Sequence, residues 1–174
     1  LPQAVCIAGD EAQGSFELAL ECARFFLCNG RTEQGACGTC PDCCCFDEDS
    51  HPDLLLLLGC SAADAEKGLD LSHSPSVLNA QQLGESSHPI RIDTVRKMGH
   101  WIFESPQMGG RKVVIISNAH NMLEGAANAL LKTFEEPPPR VLIILLTRTF
   151  AALLPTLLSS AFTLQMPRRS LADA

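Results

Sequence analysis

The chain has 174 residues, 46% of them hydrophobic, and a formal net charge of −7 at pH 7. That length and apolar content suffice to bury one core without covalent staples, and the acidic balance excludes capture of a nucleic acid by the overall field. No apolar run approaches the roughly 20 residues of a membrane span; with an odd number of cysteines, nine, and no signal peptide, the expectation is a reducing cytoplasm and no membrane, not a secreted disulfide scaffold.

Residues 4–8 open a series of short apolar runs, continued at 54–58, 113–116 and 141–146, that read as buried parallel strands. Between the first two, Phe16, Ala19, Leu20, Ala23, Phe26 and Leu27 recur at helical spacing and predict a helix over 15–27 with one apolar face on a sheet. Directly after it come Cys28, Cys37, Cys40 and Cys43, in the pattern C-x8-C-x2-C-x2-C. Such spacing lets a short loop gather four thiolates around one ion, and zinc, which takes four ligands tetrahedrally, is the expected metal. Reduced core thiols, or a metal site that has lost its function, are the alternatives. Cys44 and Cys45 follow at once and could exchange with Cys43, whereas Cys6, Cys22 and Cys60 sit among apolar neighbours and read as core thiols. Near the cysteines only Arg24 and Arg31 are basic, against Glu33, Asp42, Asp47, Glu48 and Asp49, so a structural clip is favoured over a DNA reader.

Residues 60–89 are rich in Ser, Gly, Asp and Glu without a long apolar face, and are expected to form a surface insertion. Ile92, Val95, Gly99 and Ile102 predict the next helix. A further helix is predicted to open at Asn121, with a capping box to Glu124, and to close at Glu135 and Glu136 before the run of Pro137, Pro138 and Pro139. Alternation of strand and helix implies an α/β fold with a mainly parallel sheet flanked by helices. His100 and His120 belong to no metal-spaced cluster and read as ordinary core or surface residues.

Two places test for nucleotide chemistry. The first strand leads into Gly9-Asp10-Glu11-Ala12-Gln13-Gly14-Ser15-Phe16, where a phosphate loop G-x-x-x-x-G-K-[ST] would lie. Gly9 and Gly14 are correctly spaced, yet Ser15 stands where a lysine should reach the phosphates and Phe16 where a hydroxyl should hold Mg²⁺. Asp10 and Glu11 would also bring negative charge towards a polyphosphate. The second place is the end of the strand at 113–116, where Ser117 and Asn118 stand instead of the acids that position Mg²⁺ and water in nucleotide hydrolases. Both loci predict no productive ATP binding.

The cysteine pattern, His51-Pro52-Asp53 before a strand, Ile92-Asp93 before a helix, Gly110-Arg111-Lys112-Val113-Val114, the segment Ala126-Ala127-Asn128-Ala129-Leu130-Leu131-Lys132-Thr133-Phe134-Glu135-Glu136-Pro137-Pro138, and Leu154-Pro155-Thr156-Leu157-Leu158-Ser159 together resemble bacterial clamp-loader subunits of the AAA+ superfamily, nearly end to end. Within that family the chain is most similar to the delta-prime branch of the DNA polymerase III loader. The resemblance implies a P-loop NTPase-like, RecA-type core over 1–174, a zinc module inserted at 28–45, and an N-terminal domain from which lid and collar domains are absent. It further implies a scaffolding part, not itself an enzyme, whose partners are gamma/tau and delta subunits and, through them, a sliding clamp and primed DNA. Asn128, Lys132, Glu135 and Glu136 then become candidate subunit contacts. Ser160 falls where the family carries the arginine of Ser-Arg-Cys, a residue that reaches a neighbour's ATP site; Arg148, Arg168 and Arg169 are possible substitutes. The alternative reading is a gamma/tau-like motor ATPase with an atypical site.

Overall fold

The computed structural model describes residues 2–9, 13–58 and 90–167. Five strands, β1 (Ala4–Ala8), β2 (Leu54–Leu58), β3 (Lys112–Ser117), β4 (Val141–Thr147) and β5 (Phe162–Gln165), form one sheet in the order β2-β3-β4-β1-β5. Every neighbouring pair is parallel. The four runs expected to be strands are β1 to β4, within a residue at each end. β5 was not anticipated: its four residues alternate apolar and polar, but all are exposed and form no continuous apolar run like the other four. Among the described residues five α-helices accompany the sheet: α1 (Ser15–Leu27), α2 (Pro41–Asp47), α3 (Ile92–Phe103), α4 (Glu124–Glu135) and α5 (Pro155–Ser159). The insertion expected at 60–89, with Cys60, lies outside the described residues.

Side chains of a strand alternate between faces, and this chain uses both faces as core. Leu54, Leu56, Val113, Ile115, Leu142 and Ile144 point to one side, where Ala19, Ala23, Phe26 and Leu27 of α1 cover them. Leu55, Leu57, Val114, Ile116, Ile143 and Leu145 point to the other, against Val95, Met98 and Ile102 of α3, Leu130 and Phe134 of α4, and Leu157 of α5. The unbroken hydrophobicity of β3 and β4 follows from this two-sided burial.

The helix expected to open at Asn121 begins later. Asn121 closes a short 3-10 turn, Ala119–Asn121, and the residue capping α4 is Leu123, which makes no side-chain cap bond. The Leu123 amide is drawn instead to the carbonyl of Ile90, at 3.1 Å, so Leu123 and not Asn121 takes the N-cap and Glu124 becomes the first helical residue. Its carboxylate still lies in the first turn, where the helix dipole favours negative charge. The close at Glu135, with Glu136 as the C-cap, is as expected.

Phe134 is fully buried whereas Phe162 on β5 is 58% exposed. Phe134→Ala should therefore cost about 3–5 kcal/mol in urea unfolding, while Phe162→Ala should stay within roughly 0.5 kcal/mol. Equal costs would contradict this division of core and edge.

Candidate metal centre and the loop at the opposite edge

In an all-parallel sheet every strand ends at the same edge, and a helix that returns the chain must run back to the other. α1 does so. It starts beside the end of β1 and delivers Cys28, its C-cap, to the edge where the strands begin. Arg111, which immediately precedes β3, donates to the Cys28 carbonyl at 3.3 Å and marks that edge.

The sulfurs of Cys28, Cys37, Cys40 and Cys43 all lie within 4.8 Å of one another. Sγ of Cys28 is 3.5 Å from that of Cys37 and 3.8 Å from that of Cys40. A tetrahedron with metal–sulfur bonds of about 2.3 Å has edges of about 3.8 Å, so the four thiols can hold one metal ion. Local structure explains how the loop closes. Thr32 and Gly35 exchange backbone hydrogen bonds in a tight turn between the first two ligands, and Gly38, at φ 72, supplies a left-handed bend between the next two. Cys40 is the N-cap of α2, Pro41 opens it, and Cys43 sits one turn in, buried. Of the neighbours weighed as replacements, Cys44 is exposed and its thiol turns to the Thr39 carbonyl; the cluster is completed by Cys43.

Backbone amides aim at these sulfurs. The Cys37 amide donates to Cys28 Sγ at 3.3 Å. Amides of Thr39 and Cys40 bring the Cys37 thiol down to about 6. Burial raises the Cys40 thiol, but amides of Cys43 and Asn29 outweigh it and leave it lowered. Burial pushes Cys43 up to about 12 in the metal-free protein, so a metal entering there must displace a proton.

A buried polar network beneath the cluster was not foreseen. Asp42, His51, Asp53 and Lys112 are all buried. The Asp53 carboxylate accepts from the amides of Gln107 and Met108, at 2.9 and 2.7 Å. The Asp53 amide in turn donates to Nδ1 of His51, at 3.2 Å, which leaves the imidazole proton of the neutral ring on Nε2. That atom faces Asp42 Oδ1 at 3.5 Å. Lys112 donates to the Trp101 carbonyl at 2.6 Å with its ammonium over the indole ring. Local pattern carries no signal for this network: Asp42 stands in the sequence as one of several acids around the cysteines.

At the other edge, Gly14 caps α1 with φ 80 and Ser15 is buried, its hydroxyl directed at the Gly9 carbonyl. Met166, the residue after β5, donates its amide to Ala8 and crowds Gly9 so closely that a Cβ there would lie 2.6 Å from Met166 Cβ. Phe16 packs partly buried against the core. Ser117 is buried at the end of β3, and Asn118 follows in the left-handed region at φ 47. Residues 10–12, which include two loop acids, lie outside the described residues, as do Arg168 and Arg169; Arg148 is exposed. Asn128, Lys132 and Glu135 share the exposed face of α4, opposite Ala127, Leu130 and Phe134, with Glu136 exposed just beyond. Ser160 caps the end of α5, its hydroxyl on the Thr156 carbonyl.

The family model for DNA polymerase III, delta subunit, matches residues 1–170. The chain belongs to that family. It is 33% identical over 156 residues to the DNA polymerase III subunit delta' of Pseudomonas aeruginosa and 32% identical over 159 residues to that of Escherichia coli. These matches cover 90% and 91% of this chain but 40% and 39% of those relatives. A gamma subunit-related DNA polymerase III protein from Thermotoga maritima resembles it over 71% of this chain and 45% of that one, at 27% identity and a TM-score of 0.44.

Burial lowers the pKa of His51 from the usual 6.5, with Asp53 and Asp42 opposing. A group whose folded pKa is depressed binds its proton more readily unfolded, so His51 lowers stability as pH falls through and below 6.5. Urea unfolding of wild type should weaken more steeply from pH 7.5 to 5 than that of His51→Asn, whose amide oxygen can take the Asp53 amide. The difference between the two curves isolates His51 from thiolate protonation; parallel curves would show that the imidazole does not contribute.

Proposed function

We propose that this chain is the AAA+ N-terminal domain of a delta-prime-type clamp-loader subunit, spanning residues 1–174 with a zinc module at 28–45. In this reading it works in the cytoplasm as a scaffold, unable to bind or hydrolyse ATP productively, that helps gamma/tau and delta subunits set a sliding clamp on primed DNA. Lid and collar domains belong to the rest of a longer polypeptide, in keeping with the 40% of its relatives' length that it spans.

The observation that carries the non-catalytic reading is the loop after β1. A polyphosphate needs an ammonium from the loop and a hydroxyl and acids for Mg²⁺. Here Ser15 turns inward to Gly9, Phe16 packs on the core, Ser117 and Asn118 end β3, and Met166 leans on Gly9. What remains is binding. Asn128, Lys132, Glu135 and Glu136 offer a polar surface to another subunit, and Ser160 places a hydroxyl where a guanidinium would act on a neighbour's phosphate. Without that group the neighbour forgoes a contribution of about 10³-fold or more at this position.

Four thiolates around Zn²⁺ satisfy the ion fully and leave no open position, so its role is to hold residues 28–45 together. Its place at the edge opposite the strand ends fits that role, since ligands in open α/β sheets bind beyond the carboxyl ends of the strands. Protein purified under reducing conditions should contain one zinc per chain by plasma emission spectroscopy. Cys37→Ser should lose it with local loss of order and a lower melting temperature, not global unfolding; metal-free native protein would remove the assignment.

Calorimetry should detect no micromolar ATP binding to the domain. Tight binding, or turnover abolished by a change in residues 9–16, would favour the motor ATPase instead. The full-length protein should co-purify with gamma/tau and delta subunits at moderate salt, and failure to do so would remove the scaffold reading. Ser160→Arg should then raise the assembled loader's ATPase if this surface faces a neighbour's γ-phosphate.

A further inference from the structure

We propose that Asp42, seated by Asn29, His51 and Gly109, is a strut that gathers the four cysteine sulfurs before a metal arrives. The inference rests on the metal reading of the cluster and adds residues that are not ligands.

Asp42 lies between Cys40 and Cys43 and is 3% exposed. Its Oδ2 accepts from Nδ2 of Asn29 at 2.9 Å, and Asn29 adjoins Cys28. One hydrogen bond thus ties the segment bearing the first ligand to the segment bearing the third and fourth, with no sulfur involved. The amide of Asn29 cannot turn over, because its oxygen accepts from Arg111 at 3.1 Å; a flip would set donor against donor and acceptor against acceptor. Arg111 also holds the Cys28 carbonyl. From below, the Nε2 proton of His51 faces the second carboxylate oxygen.

Gly109 closes the seat from a distant part of the chain. A Cβ there would lie 2.4 Å from Asp42 Oδ1 and 3.1 Å from Asn29 Nδ2, and its φ of +42 is one that side chains rarely adopt. The carboxylate is thus held at Oδ2 by a hydrogen bond from Asn29 and walled at Oδ1 by Gly109 and His51, which faces it at 3.5 Å without completing a hydrogen bond.

Charge in the metal-bound state does not explain the residue. Without a metal the Cys40 thiol donates to Asp42 Oδ2 at 3.9 Å, but four thiolates on a divalent ion would leave a net negative centre beside that oxygen. A buried anion beside such a centre is unfavourable unless geometry requires it. What the carboxylate supplies is closure: the entropy of bringing Cys28 and Cys43 together is met by protein contacts, so the ion enters a site already formed.

Asp42→Ala and Asn29→Ala test this, the second at an exposed position where truncation leaves the core intact. Zinc affinity of the metal-free domain is read by competition with a chromogenic chelator under reducing conditions. Each variant should keep one site per chain and bind about 10–100-fold more weakly than wild type. The double variant should be no weaker than the worse single one, since both remove the same bond. Gly109→Ala should weaken zinc as well. Hydrogen exchange gives the second reading: amides of residues 28–43 should be protected in metal-free wild type and exposed in metal-free Asp42→Ala. Wild-type affinity in Asn29→Ala and Asp42→Ala, or an unprotected loop in the metal-free wild type, overturns the strut while leaving the metal site standing. A wild type that takes up no zinc instead overturns the metal reading, and the strut with it.

Discussion

The parallel arrangement of the five strands is the constraint on which the other features depend. Parallel neighbours must be joined by crossovers, which carry the chain from the edge where strands end back to the edge where they begin, as α1 does after β1. With α1 on one face and α3, α4 and α5 on the other, both faces of β3 and β4 are buried, and their side chains can be apolar without interruption. The same geometry separates the two chemically distinctive regions. Residues 9–16 sit where β1 ends; the cysteines sit where α1 ends, at the opposite edge. A metal centre there can stiffen the fold without touching the loop that would face a phosphate.

Much of this was legible in local pattern. Continuous apolar runs marked β1 to β4, and helical spacing of Phe16, Ala19, Ala23 and Leu27 marked α1 to the residue, because two-sided burial and a single buried stripe leave periodicities that tertiary contacts reinforce. β5 has no such run. Phe162-Thr163-Leu164-Gln165 is a short edge strand whose residues are all exposed, and it is defined by pairing with β1, a contact that no local window contains. The helix start expected at Asn121 moved for a related reason. Its spacing suited a cap, but the Leu123 amide found a long-range partner at Ile90 and moved the helix start.

The cysteine cluster divides in the same way. Its four members were readable because C-x8-C-x2-C-x2-C is a local spacing with a geometric meaning. Its support was not: Asn29, Asp42, His51 and Gly109 are brought together by packing of α2 against the segments before β2 and β3, and nothing in their spacing announces it. Asp42 could be counted only as one acid among several. Burial turns it from a solvated charge into a group whose every contact must be accounted for, since an unsatisfied buried carboxylate costs several kcal/mol, on the order of the whole stability of a small domain.

Gly9 shows how a glycine at a motif's spacing can be required by packing. In a phosphate loop a glycine lets the backbone approach a phosphate closely. In this chain the close approach is made by Met166, whose Cβ and Cγ would lie 2.6 and 2.7 Å from any Cβ at position 9, while the Met166 amide extends the β1–β5 pairing to the Ala8 carbonyl. Packing alone therefore excludes a side chain at this site. Gly14 is likewise required by its φ of 80 at the start of α1, with or without a ligand. The correct spacing of the two glycines is consequently no argument for a nucleotide, and the weight of that question falls on Ser15 and Phe16, the positions where binding would need an ammonium and a hydroxyl, not on the backbone that carries them.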